Sequence, residues 1–399
     1  MDRRNFLQGA LALGCSAAAH PLMTTVTLAG TQGGKPLGEN RLIVMVLRGA
    51  MDGLDVVQPR GEALYAGMRP TLAQIPGIDL NGFFSLHAGL SGLMPLWHAG
   101  ELAFVQATAT PYRNKRSHFE GQDLLEAGTG MDVSLAAIKD GWLNRMLQVV
   151  PGLVAETAYA IGRDAVPMLE GPAPVRNWAP ETRIKLSPQA QLLLEAAYEQ
   201  DPLFHAAAME AMEIAGDAGL ALDVQGKVKG GPKLNEIGRL TKFAASRLRE
   251  DTRIAAFSLS GWDTHKGQAR ALPRALVNLQ DAILQLRDGL GPEVWSKTTL
   301  LAMTEFGRTA RENGTGGTDH GTGGMMIAAG GAVNGRQILG KWPGLADADM
   351  FDQRDLMPTS DVRAWAALAM QDMFGLERGM LETVVFPGLQ MSGEKGLIL

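Results

Sequence analysis

Four apolar runs of strand length punctuate the chain, and each gives way to a polar cluster. LIVMVL at 42–47 leads into RGAMDG, LAFVQAT at 102–108 into PYRNKRSHFEGQD, RIAAFSLS at 253–260 into GWDTH, and TTLLAMT at 298–304 into EFGR. Continuously apolar runs fit strands buried on both faces, as in a parallel sheet. Between them apolar residues recur at helical spacing. ALPRALVNLQDAILQLRDGLG at 271–291 closes on glycine, as helices commonly do. A second helical block spans about 187–250, opened by Ser187-Pro188 and broken at Gly230 to Pro232. Strands alternating with helices predict an α/β chain built on a mostly parallel sheet. Ligands of such sheets gather in the crevice at the carboxyl ends of the strands, where all four polar clusters fall.

The composition narrows the partners. The 399 residues are 46% hydrophobic with a formal charge of -5 and only 6% aromatics, and no basic tract exists. A nucleic-acid partner is therefore not expected. The first thirty residues carry Arg3-Arg4, then Asn5-Phe6-Leu7 and a weakly apolar, alanine-rich run. This is the pattern of a twin-arginine signal, which predicts handling by the twin-arginine export machinery and a periplasmic or secreted product. The apolar run is too short for a permanent membrane span. The single cysteine, Cys15, lies in this leader. Residues 41–399 then read as one domain without thiol chemistry.

The clusters bear the chemistry. Asp263 and His265 stand two apart, so in an extended segment they project to one side and offer an oxygen and a nitrogen to a borderline metal. A hydrogen-bonded pair that organises a loop has the same spacing. Asp319 and His320 are adjacent among glycines in GTDHG, which bends the loop or gives the two side chains different partners. Asp52 and Glu305 follow strands and offer carboxylate oxygens; either could equally cap a turn or join an ion pair. Three of the seven histidines, His118, His265 and His320, fall in these clusters, which favours ligation or proton transfer. Arg48, Arg116 and Arg308 have the fork that grips an anion, although a salt bridge serves any of them as well. Ser117 precedes a helical segment, where it is either a nucleophile or an N-cap completed by Glu120. His87 is a further residue that could line the site.

Together, LRGAMDGLD, FFSLHAGL, RSHFEGQD, SGWDTHKGQ, TEFGRTARENGTGGTDHGTGG, KWPGL and RDLMPTSDVR resemble the DUF1501 family over about 42–388. That family is uncharacterised and is grouped with the alkaline phosphatase and sulfatase superfamily. The resemblance implies a central mostly parallel sheet sandwiched by helices and a divalent metal, Zn, Mn or Ca, in one or two copies. It implies Asp52, Asp263, His265, Glu305 and His320 as ligands and Ser117 as nucleophile, and Asp319 of the GTDHG cluster joins the candidate ligands on its own chemistry. It also implies His118, Arg116 and Arg308 around a small anionic ester. Phe306 stands where the superfamily has a histidine. The reading is a metal-dependent hydrolase of a phosphate or sulfate ester, with a catalytically degenerate binding or assembly protein on the same fold as the alternative.

Overall fold

The structure is a computed structural model and describes residues 37–133, 139–180 and 235–399. The leader and most of the helical block at 187–250 lie outside the described residues; of that block, a helix at Glu236–Leu248 is described.

Nine strands form one sheet. Along the chain they are β1 (Arg41–Arg48), β5 (Leu102–Ala109), β6 (Ala158–Ile161), β7 (Arg176–Trp178), β8 (Ile254–Ser260), β9 (Thr298–Met303), β10 (Gly324–Ala329), β11 (Gln337–Leu339) and β12 (Ser360–Asp361). Three short strands, β2 (Val57–Gln58), β3 (Gly77–Asp79) and β4 (Ser85–His87), make a separate small sheet. The large sheet runs β11-β5-β10-β9-β1-β8-β6-β7, with β12 also on β5. All its pairings are parallel except those of β10 with β5 and β9.

The central strands are mostly apolar because the sheet is covered on both faces. In β1, Leu42, Val44 and Val46 enter one core, whereas Ile43, Met45 and Leu47 enter the other. The first core includes α2 (Trp142–Val149) and α5 (Val362–Phe374), and the second α3 (Glu236–Leu248) and α4 (Gln268–Trp295). Burying a large apolar side chain is worth about 1.5–3 kcal/mol, so the two layers fix the register of the central strands. The α/β expectation, a mostly parallel sheet between helices, is met. The glycine expected to close α4 turns left-handed at Gly291 (φ 72°), followed by Pro292 and one more helical turn.

This stacking fixes where polar groups go. β1, β8 and β9 are parallel neighbours, so the residues following Arg48, Ser260 and Met303 emerge together at one sheet edge. The helix α1 (His118–Ala127) begins beside them. No helix among the described residues is long and apolar enough to cross a membrane.

Candidate metal centre

Three imidazoles meet at this edge, and each is anchored by its Nδ1. His118 Nδ1 lies 2.8 Å from Glu305 Oε1, His265 Nδ1 lies 3.0 Å from Asp319 Oδ1, and His320 Nδ1 lies 2.9 Å from the Arg116 carbonyl. A carboxylate or carbonyl can only accept, so each Nδ1 is the donor and each Nε2 is left to face the site.

The Nε2 atoms converge. Asp263 Oδ1 lies 3.1 Å from that of His265, 3.5 Å from that of His118 and 3.7 Å from that of His320. His265 and His320 meet Nε2 to Nε2 at 2.9 Å. The His118 Nε2 is buried and has no hydrogen-bond partner. Two imidazole lone pairs cannot face each other at such a distance without a positive charge between them, either a proton or a metal ion. One donor atom each from His118, Asp263 and His320 lies within 4.8 Å of the other two. Two imidazole nitrogens and one carboxylate oxygen are a donor set that zinc takes in catalytic sites, leaving further positions open.

The backbone makes this convergence possible. Gly49 (φ 117°) and Ala50 (φ 61°) turn left-handed after β1. A Cβ at Gly49 would come within 2.5 Å of the Asp263 amide nitrogen. Gly317 presses its α-carbon against the His265 carbonyl, and Gly321 against that of Arg308; a Cβ at either would sit 2.4 Å from those atoms. The glycines of GTGGTDHGTGG thus let two loops touch through their backbones, and an isolated bridge pairs Arg308 with His320.

The charges around the imidazoles differ. The hydrogen bond it donates to Glu305 raises His118 above the usual imidazole value against the effect of burial. Burial lowers His320, with the charges of His118 and Arg308 acting in the same direction. Burial alone would raise Glu305, but hydrogen bonds from His118 and Gln122 outweigh it and hold the carboxyl below its ordinary value. Asp263 behaves likewise, with Arg308 overcoming desolvation. The His265 bond lowers Asp319.

Several sequence expectations change with these contacts. Glu305 is fully buried and accepts from His118, Gln122 and the Gly49 amide on one oxygen and from Thr304 on the other, so both its oxygens are engaged within the chain. Asp319 accepts from His265 from a half-exposed position. Asp52 is not brought to the histidines. It forms a fully buried, two-pronged ion pair with Arg69 at 2.7 and 3.0 Å and also accepts from Gln268, so a guanidinium occupies the place expected for a metal.

Arg308 is turned into the protein. Its buried guanidinium is spent on the Ala50, Thr318, Gly49 and Trp262 carbonyls and on Asp263 at 2.5 Å, which braces the strained turn after β1. Arg48 is likewise engaged, with Gln122, Glu126 and the Ala165 carbonyl. Arg116 keeps an exposed side chain and contributes its carbonyl to His320. Ser117 takes the capping role: its Oγ accepts from the Glu120 amide at 3.4 Å. Glu120 itself pairs with Lys115.

Phe306 lies under the site, buried, stacked on His118 with ring centres 5.2 Å apart and on Tyr112 at 5.7 Å. His87 turns inward to the small sheet, where its Nδ1 accepts from the Gly89 amide. Arg69 lies in none of the stretches quoted above, and Gln122, Asp55 and Gln268 lie in them without a role read from the sequence. Only Gln122 had a signal, since His118, Gln122 and Glu126 recur every four residues and share one face of α1.

Comparison with known proteins gives one family match. The model described as a protein of unknown function (DUF1501) matches residues 107–384. No curated protein matches the chain. Among solved structures it is similar to a protein of the alkaline phosphatase superfamily from Vibrio parahaemolyticus, with 11% identity, a TM-score of 0.36, and 85% of this chain and 72% of that one covered. It is also similar to the soluble domain of lipooligosaccharide phosphoethanolamine transferase A from Neisseria meningitidis (10% identity, TM-score 0.35, 76% and 82% covered). A third is the C-terminal periplasmic domain of EcEptC from Escherichia coli in complex with Zn (9% identity, TM-score 0.36, 91% and 92% covered). Likenesses this distant leave the chemistry to this chain's own residues.

Proposed function

The chain belongs to the DUF1501 family, and we propose that it is an exported, single-metal hydrolase of a phosphate or sulfate ester. The observation that carries the reading is the convergence of Nδ1-anchored imidazoles on Asp263. His118, Asp263 and His320 would hold a divalent ion, zinc or manganese by the softness of the donors. Such an ion supplies Lewis acidity toward an ester oxygen.

The remaining roles fall to groups of the chain itself. Glu305, Asp319 and the Arg116 carbonyl keep the three rings in one tautomer with Nε2 turned inward. His265, which is 40% exposed and backed by Asp319, accepts the proton of an attacking water. The exposed Arg116 guanidinium at the rim grips the ester anion, since Arg48 and Arg308 are engaged elsewhere. Export rests on the Arg3-Arg4 leader. Asp52 being paired with Arg69, and Phe306 filling the space beside His118, both favour one ion over two.

The test is metal content by mass spectrometry on the purified chain, paired with chromogenic phosphate and sulfate esters. We expect about one equivalent of metal, ester turnover that a chelator abolishes, and loss of both in His118→Ala and His320→Ala. A wild-type chain that takes up neither zinc nor manganese on titration would overturn the reading. Bound metal without turnover on any ester would transfer it to a binding protein built on the same centre.

A further inference from the structure

Beneath the histidines lies a buried amide that the proposed chemistry does not use. Gln268 opens α4, and its side chain is wholly buried. Its Oε1 accepts from Thr264 Oγ1 at 2.9 Å and Thr318 Oγ1 at 2.7 Å. Its Nε2 donates to Asp52 Oδ2 at 2.6 Å and Asp55 Oδ2 at 2.7 Å. Two donors and two acceptor positions are all filled, which is the full capacity of an amide. The two carboxylates mainly accept, so they fix which end of the amide faces them, and the oxygen must face the threonines.

Those threonines stand at decisive places. Thr264 immediately precedes His265, and Thr318 immediately precedes Asp319 and His320. Both are buried. One oxygen atom therefore ties the loop bearing one histidine to the loop bearing another, and Arg69 locks Asp52 below it. On the solvent side Asn313 spans the same loops, donating to the His265 carbonyl and to Asp319. A buried, fully satisfied network holds its members more firmly than a partly exposed one.

We infer that Gln268 is the positioning residue that sets the contact between His265 and His320. It touches neither substrate nor metal; it acts through Thr264 and Thr318. The assignment rests on the proposed metal centre only for its effect on affinity, because the imidazole contact is read from the positions of the two rings alone.

The experiment uses the full chain. Side-chain imidazole nitrogen NMR of the metal-free protein is recorded for wild type and Gln268→Met, each with and without His320→Gln. Folding is checked by circular dichroism, and zinc affinity is measured by competition with a chromophoric chelator. In the wild-type background, His320→Gln is expected to shift the His265 ring resonances. In folded Gln268→Met it leaves them unmoved, and zinc binding weakens about tenfold or more. A loss of stability alone would not uncouple the two rings.

If Gln268→Met does not fold, Thr264→Val and Thr318→Val each remove one arm. Each is expected to weaken zinc binding several-fold, and the two together by less than the product, because they share one acceptor. Asn313→Ala should cost less than either. Persistent coupling of the rings in every Gln268, Thr264 and Thr318 variant would overturn the assignment. Uncoupling in a chain whose wild type binds no zinc would support the positioning role and reject the metal reading alone.

Discussion

The three-histidine cluster and the Asp52-Arg69 cluster lie at the same edge of the sheet and are joined by Gln268, yet their hydrogen-bond accounts differ. In the Asp52 cluster every acceptor has a donor: Arg69 on Asp52, Gln58 and Gln268 on Asp55, and Arg69 again on the Ala310 and Thr309 carbonyls. In the histidine cluster nitrogen faces nitrogen, one Nε2 has no hydrogen-bond partner, and Asp263 is about half exposed. A complete account marks a structural network, and an incomplete one at an open edge is what the proposed metal reading builds on. Residue type alone does not separate the two, since both clusters pair acids with bases after strands.

Removing the central cation of the closed cluster is the harshest way to test this contrast. Arg69→Met leaves Asp52 buried without its partner, next to a second buried carboxylate, Asp55. Breaking such a pair from one side costs about 3–5 kcal/mol, a large share of a domain's stability. Equilibrium denaturation should therefore show a much less stable or unfolded protein. His118→Ala at the open cluster should leave the midpoint far less changed. Comparable losses in the two variants would erase the contrast.

The same difference explains what the sequence makes legible. Asp263 and His265 were readable because residues two apart share a side of an extended segment, and they do converge. The central strands were readable because burial on both faces leaves them few polar positions. Glu305 was readable as important but not as an orienting group, because three of its four donors come from distant segments, His118 and Gln122 from α1 and Gly49 from the turn after β1. Arg69 carried no signal and Gln268 none beyond its place at the end of SGWDTHKGQ, since an arginine near a turn and a glutamine at a helix start are ordinary in isolation. The small sheet of β2, β3 and β4 was missed because strands of two or three residues are too short for a periodic pattern. Long-range pairing decided each of these, and pairing is not written in spacing.

A pH series sharpens the closed half of the comparison. Burial, and then the neighbouring charge of Asp52, raise Asp55 to about 6. An unfolded aspartate titrates near 3.9, so between about 4 and about 6 the folded state binds the extra proton. This contribution to stability is full below the unfolded value and disappears as pH rises through the folded one. Relative to Asp55→Asn, wild type should lose on the order of 2 kcal/mol across that window. Chemical denaturation at several pH values measures the difference curve and cancels the opposite trend from buried histidines such as His87, whose value burial lowers. A flat difference curve would mean that Asp55 stays ionised and that Gln58 and Gln268 suffice to hold it.

The finest test lies within the open cluster, where one histidine is anchored by a buried carboxylate and another by an exposed one. The Glu305 side chain is fully buried, whereas that of Asp319 is 51% exposed. A carboxylate acceptor makes the opposite ring nitrogen a stronger donor to a cation, and the effect grows where solvent does not screen it. On the proposed reading, Glu305→Gln should weaken zinc binding by about 10–100-fold, the range for partners that orient metal ligands. Asp319→Asn should weaken it by less than about tenfold, because water already screens its charge. His118 also belongs to the three-residue donor group, and His265 stands beside it, so burial and position act in the same direction. Equal losses would mean that His265 ligates as strongly as His118, and a reversed order would move the centre of the site from the helix start at His118 to the loop that carries Asp263 and His265.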